Sequence, residues 1–245
     1  MNMELKLGLI ACAIAVMSGC GGGGDGGGST TVVNTAEGFW EGTSSNGANV
    51  SIAILENGEA WGGAVVGNTL ISAIAGTANG NGTSFSASGS EFSFSSNSVA
   101  RGSYSGTVTQ KQRIQATGSS GNTIDLAYDA NYDKGVTAAE IAGSYTLSGR
   151  TALYAITNLT FTVGANGAFT IVDGGCTTTG TVTPRASGKA IVDVRATGTG
   201  PCVLGNGVSL SGIAVLNKTR TPNTLSVIAL NSGKTDGLVL LGRKN

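Results

Sequence analysis

Val50-Ser51-Ile52-Ala53-Ile54, then Asn57-Gly58, then Ala60-Trp61-Gly62-Gly63-Ala64-Val65 is the stretch that decides the fold. Two runs of β-branched and small residues flank an Asn-Gly pair. That pair marks a tight hairpin because glycine, and asparagine more readily than most residues, takes the left-handed backbone such a turn requires. The same grammar recurs where Asn166-Gly167 separates Leu159-Thr160-Phe161-Thr162-Val163 from Phe169-Thr170-Ile171. Further turn signals fall at Asn46-Gly47, Asn79 to Gly82, Gly121-Asn122, Asp173 to Gly175, Asn206-Gly207 and Asp236-Gly237. Strands therefore recur about every 8–14 residues, the spacing of an antiparallel meander.

Composition agrees. With 41 glycines, 3 prolines, 11% charged residues and Thr, Ser and Gly in abundance, the chain is poorly suited to long helices and well suited to many short strands. Val, Ile and Thr in alternating positions argue against disorder. Phe92 and Phe94 alternate with serines, Ile124, Leu126 and Tyr128 with Asp125, Ala127 and Asp129, and Leu159, Phe161 and Val163 with threonines. This predicts one face inside and one wet. Gly212 to Leu216, Leu225 to Leu230 and Leu238 to Leu241 are instead apolar on both faces, so these strands are expected to be covered on both sides or to lie against the other half.

The chain reads as two similar halves. Glu37-Gly38-Phe39-Trp40-Glu41-Gly42-Thr43 opens one much as Ala142-Gly143-Ser144-Tyr145-Thr146 opens the other, and Ser105-Gly106-Thr107-Val108-Thr109 reappears as Thr179-Gly180-Thr181-Val182-Thr183. Either the halves are duplicates or Gly/Thr-rich meanders simply look alike. About eight strands per half suffice to close a small barrel, which removes unpaired edges. One larger sandwich is the other arrangement. Between the halves, Thr137 and Glu140 have the spacing of a capping box, and Gly143 follows as a helix stop, so one or two helical turns are expected there. The fold class is thus all-β: two antiparallel meander domains, barrel-like, joined by a short helix.

At the N-terminus an apolar run from Leu7 to Met17, preceded by Lys6, leads to Met17-Ser18-Gly19-Cys20. The run is far short of the roughly 20 residues a membrane-spanning helix needs. This segment resembles the signal peptide and lipobox of bacterial lipoproteins. The resemblance implies cleavage before Cys20, acylation of Cys20 and attachment to a membrane by lipid. Gly21, not the aspartate associated with inner-membrane retention in such proteins, implies the outer membrane. The Gly/Ser/Thr-rich segment that follows has the composition of a flexible tether. The expected organisation is a signal peptide over 1–19, an acylated cysteine and tether over 20–36, a β domain over 37–133, a helical linker over 134–142 and a second β domain over 143–245. Lipobox, tether, the Gly-Phe-Trp-Glu-Gly-Thr opening and the short helix before Gly-Ser-Tyr together resemble the tandem-β surface lipoproteins of Gram-negative bacteria. The comparison that can be named is the barrel domains of transferrin-binding-protein-B-like lipoproteins, an architectural likeness that carries over no receptor-contact residue.

With Cys12 in the removed segment and Cys20 acylated, the mature chain keeps Cys176 and Cys202. In an oxidising compartment these are expected to form a disulfide, worth about 3–4 kcal/mol on the chain-entropy picture. No Cys-x-x-Cys spacing or adjacent cationic cluster points to redox chemistry.

Net charge is zero with no basic stripe, so no nucleic-acid partner is expected. The absence of histidine removes Ser-His-Asp and Cys-His nucleophile systems and His-based zinc sites. No Gly-Lys-Ser/Thr phosphate loop is present. A glycosidase-like carboxylate pair could draw on Glu41, Glu56, Glu59 and Asp125, although turn glutamates are usually only solvated. Asp129, Asn131, Asp133, Thr137 and Glu140 match positions of a calcium loop, with Val136 at its apolar position, but Lys134 stands where the loop requires glycine and Gly135 comes one place late. The capping box accounts for Thr137 and Glu140 without a metal. No metal, cofactor or catalytic residue is assigned. The sequons at Asn81, Asn158 and Asn217 carry little information in a bacterial lipoprotein.

Three roles follow for a lipid-anchored, non-enzymatic outer-membrane protein. It binds a protein or glycan through loops at one barrel end, with Trp40, Trp61, Tyr128 and Tyr132 as candidate anchors. Alternatively, a barrel interior carries a small apolar ligand on the periplasmic side. The third role is structural, within the envelope.

Overall fold

The structure is a computed structural model that describes residues 34–245. The signal segment, Cys20 and nearly all of the tether lie outside the described residues. No helix among the described residues is long and apolar enough to cross a membrane.

Two closed eight-stranded antiparallel barrels follow one another along the chain. Barrel 1 comprises β1 (Gly38–Ser44), β2 (Asn49–Ile54), β3 (Glu59–Val66), β4 (Thr69–Asn81), β5 (Ser84–Ser93), β6 (Ser98–Thr109), β7 (Arg113–Gly118) and β8 (Thr123–Tyr128). Barrel 2 comprises β9 (Gly143–Thr151), β10 (Ala155–Val163), β11 (Ala168–Asp173), β12 (Cys176–Pro184), β13 (Ile191–Thr199), β14 (Ser209–Asn217), β15 (Thr224–Asn231) and β16 (Gly237–Lys244). Each strand pairs with its neighbours in sequence, and first and last strands close each ring, β1 on β8 and β9 on β16. Closure covers the sheet edges of barrel 1 and nearly all of those of barrel 2, the exception being the seam between β10 and β11. The choice between two barrels and a single sandwich is thereby settled as two barrels.

The Asn-Gly turns form as their chemistry dictates. Gly58 N–H bonds to the Leu55 carbonyl and Leu55 N–H to the Glu59 carbonyl, with Gly58 at φ 82°. Gly164 to Ala168 repeats this pattern, with Gly167 at φ 80°. In both, the asparagine side chain accepts from the N–H two residues on, an Asx turn that pre-forms the bend. The two hairpins follow the second strand of their respective barrels, as duplicated units would place them. The Ser105–Thr109 and Thr179–Thr183 likeness does not share this logic. It falls on the sixth strand of barrel 1 and the fourth of barrel 2, so the similarity is one of composition.

The connection between the barrels is a 3-10 turn (Ala130–Asp133) followed by α1 (Ala138–Ile141). Thr137 and Glu140 make both halves of the capping box. The connection therefore begins right after Tyr128, earlier than residue 134. A second boundary also moves: residues 34–36, assigned by composition to the tether, belong to barrel 1. The Asn34 side chain accepts from Gly80 N–H at 2.7 Å and donates to the Ala78 carbonyl, and Ala36 is fully buried.

Each barrel has its own core. The interior of barrel 1 is filled at one end by Trp40, Ile54, Phe85, Val108 and Ile114, and that of barrel 2 by Ile141, Tyr145, Phe161, Val163 and Phe169. A third cluster joins the outer walls of the two barrels: Leu55, Phe92, Phe94 and Tyr132 on one side meet Ile191, Ile213, Val215, Ile228 and Val239 on the other. This explains the doubly apolar C-terminal strands, whose odd and even positions serve different cores. It also corrects the reading of Phe92 and Phe94, which face outward. They look like interior residues in the sequence because burial between barrels leaves the same alternation as burial inside one.

Polar links fix the barrels side by side in parallel. At one end Arg185 binds Glu56 across the interface at 2.7 Å. At the other, Arg150 Nη2 donates to the Phe94 carbonyl at 3.2 Å, with its guanidinium 5.2 Å from the Phe94 ring centroid. The plugged ends therefore lie together, and both open ends face the same way.

Candidate functional site

The open ends are the candidate sites. In barrel 2 the interior beyond the plug forms a cavity of about 680 Å³. Its inner wall is aliphatic, with Ile156, Leu159, Ile171, Leu210 and Leu238 at inward positions of the pleat and Val208 at the end of the β13–β14 loop, while Asn158, Thr160 and Asp173 add polar groups to the lining. Small-molecule pockets run to about 300–1,000 Å³, so this one is large enough to enclose a ligand. Barrel 1 has a counterpart of about 270 Å³, floored by Ile52, Ile74 and Phe85 and rimmed by Asn46, Tyr104 and Asn122. It falls just below that range. Its polar rim is already self-satisfied, since Asn122 donates to the Tyr104 hydroxyl at 2.6 Å.

Barrel 2 differs from barrel 1 in a second way. Its ring is closed between β10 and β11 by a single residue pair, Val163↔Phe169, whereas β11 and β12 pair over six positions and β12 and β13 over eight. Towards the open end the two strands part, and β10 is bulged between Ile156 and Leu159, with Asn158 at φ 53°. The cavity is consequently lined by outward-facing Thr157 and Thr170 as well as by inward residues: it opens through the wall as well as at the end.

The mouth is apolar too. Leu153, Tyr154, Val172 and Val203 are each more than half exposed, at 66%, 55%, 71% and 51%. They sit on the β9–β10 loop, the end of β11 and the β13–β14 loop. Cys176 and Cys202 are disulfide-bonded, with Cα atoms 4.7 Å apart, and both line the cavity. The bond pins the β13–β14 loop to the start of β12 and so fixes the shape of the rim. Strand periodicity does not reveal this site. The signal that could have found it is apolar residues where turns are normally polar, Leu153-Tyr154 and Val203-Leu204.

Other candidate residues have structural partners. Trp40 and Tyr132 are buried, and Trp61 packs on the inter-barrel cluster beneath Lys234 Nζ, 5.7 Å from its ring centroid. Tyr128 stacks edge-on against Trp40, with its hydroxyl donating to Asp133 at 2.8 Å. These four aromatics do not converge on one surface. Of the carboxylates, Glu56 binds Arg185, Asp125 pairs with Arg113, Glu59 accepts from the Trp61 indole at 3.3 Å, and Glu41 lies on the outer wall near Asp129.

The calcium-loop residues hold the junction together. Asp129 caps the 3-10 turn by accepting from Asn131 N–H, and the buried Asn131 amide donates to the Leu216 carbonyl and accepts from Lys218 N–H. Asp133 lies between Lys111 and Lys189, each 2.8 Å away. Burial alone would raise its carboxyl, but hydrogen bonds from these lysines and Tyr128 hold it well below the usual range. The Lys218 ammonium and the Thr137 N–H hold Glu140 at about 2. Among the described residues no group of three His, Cys, Asp or Glu is gathered closely enough to hold a metal ion.

No protein-family model and no curated protein matches the chain. Among solved structures, a crystal structure from Bacteroides fragilis described as a "putative outer membrane protein" aligns over 85% of this chain and 96% of its own, at 11% identity and a TM-score of 0.24. A likeness this distant transfers neither location nor function.

Proposed function

We propose that this chain is a lipid-anchored, non-enzymatic binding protein of the bacterial outer membrane, and that its second barrel holds a small apolar ligand. One observation carries the reading: an apolar cavity of about 680 Å³, plugged at one end and open at the other and along the β10–β11 seam. Leaving such a cavity empty forfeits dispersion contacts along its lining, and water filling it would find polar partners at the seam threonines but none along the aliphatic inner wall. An apolar molecule of matching size answers both. The sequence around Cys20 supports the anchor, and a glycine-rich tether suits a domain held off a surface.

The test is mass spectrometry of organic extracts from the chain purified without its anchor, beginning at Gly21. The proposal expects a copurifying lipid or other apolar metabolite in near-stoichiometric amount. An empty protein that also fails to take up apolar fluorescent probes contradicts it.

A further inference from the structure

The molecule is polarised along the barrel axes. Its plugged end carries most of the ion pairs: Lys111 and Lys189 on Asp133, Arg185 on Glu56 and Asp193, and Lys218 on Glu140. The mouth of barrel 2, at the other end, is built from Ala152-Leu153-Tyr154, Gly174-Gly175 and Gly200-Pro201-Cys202-Val203-Leu204-Gly205, three loops without a charged residue. The fourth loop at this end, residues 232–236, carries Lys234 and Asp236, and with Asp173 the rim has a net charge of −1. The described chain starts at the opposite end, where Asn34 is tied to Gly80, so its first residues do not cover the mouth.

We infer that the mouth of barrel 2 docks on a lipid bilayer, inserting Leu153, Tyr154 and Val203. Three features select this occupant. Apolar side chains on loop tips can enter the headgroup boundary, whereas a flat protein interface would use a wider patch ringed by hydrogen-bonding and charged groups. Tyr154 has the apolar ring and polar tip that favour the membrane–water boundary. A rim with a single lysine beside two aspartates suits zwitterionic headgroups, since attraction to anionic lipid requires clustered Lys or Arg. The rim is also continuous with the cavity and its seam, so a docked barrel exposes an apolar path from bilayer to interior without an intervening aqueous gap. Docking is independent of whether the cavity is filled, and vesicle binding and ligand uptake can therefore fail separately.

The experiment uses the chain beginning at Gly21, which retains both barrels and every contact described above. Flotation with phosphatidylcholine vesicles is expected to carry the protein with the lipid, equally with or without added anionic lipid and at low or high salt. Tyr154→Trp is expected to show blue-shifted emission on vesicle addition. Leu153→Ser with Val203→Ser is expected to weaken vesicle binding by about tenfold or more, because two inserted side chains are lost. The inference is overturned if the unmodified chain does not float, if the double variant floats equally well, if binding requires anionic lipid and vanishes in salt, or if light scattering without vesicles shows the rim instead pairing two copies of the chain.

Discussion

Trp40 and Tyr145 hold the same position in their two barrels. The Trp40 indole N–H donates to the Ala36 carbonyl at 2.8 Å and the Tyr145 hydroxyl donates to the Ile141 carbonyl at 2.6 Å, each bond reaching back four residues from the first strand. Both side chains are fully buried at the plugged ends. Each ties the segment entering its barrel to the barrel floor, which is why the openings of the two halves look alike in sequence although one uses tryptophan and the other tyrosine. Trp40→Ala should destabilise by about 3–5 kcal/mol through the cavity it leaves, and Tyr145→Phe by about 1–3 kcal/mol through an orphaned carbonyl. Urea titrations followed by circular dichroism give both values.

The barrels should unfold as one unit because Phe92 and Phe94 are buried against barrel 2. Phe92→Ala with Phe94→Ala is expected to split a single calorimetric transition into two, with barrel 1 melting first. A variant that still melts in one transition, only shifted, contradicts this coupling.

The disulfide between Cys176 and Cys202 spans 26 residues. Reduction, or Cys176→Ala with Cys202→Ala, should cost about 3–4 kcal/mol on the chain-entropy estimate. The loss should be largest in hydrogen-exchange protection of the β13–β14 loop and should weaken apolar probe binding as the rim loosens.

Acid and alkali should act at opposite termini of the linker helix. Glu140, depressed from its ordinary 4.5 to about 2, contributes stability that is present above pH 4.5 and lost as pH falls towards 2. Because this carboxylate is largely exposed, the effect is small, and Glu140→Gln should flatten stability across that window. Burial raises the Tyr145 hydroxyl from 10 to about 12, so its contribution is present below pH 10 and lost as pH rises through 12. Tyr145→Phe should remove that alkaline loss. Thermal melts across both windows check each sign.

Much of this fold can be read from single residues. Asn57-Gly58 and Asn166-Gly167 specify their turns through left-handed glycines and Asx bends, and Thr137 and Glu140 specify the cap, because these are local interactions between residues a few positions apart. The doubly apolar runs after Gly212 announce a second buried surface without saying what covers it. Phe92 and Phe94 mislead because alternation reports burial and not which side is buried. The site was hidden for a related reason: Leu159-Thr160-Phe161-Thr162-Val163 alternates like a fully paired strand, yet only Val163 pairs with β11. Strand separation is a property of the closed ring, not of either strand.

Uptake of an apolar ligand by barrel 2 is tested most directly by titrating the chain beginning at Gly21 with a fluorescent fatty acid, alongside Ile171→Trp, which fills the cavity at the seam, and Ile74→Trp, which fills its counterpart in barrel 1. Saturable one-to-one binding that Ile171→Trp abolishes and Ile74→Trp leaves intact is the expected result. No saturable binding, or binding lost with Ile74→Trp and retained with Ile171→Trp, would contradict it.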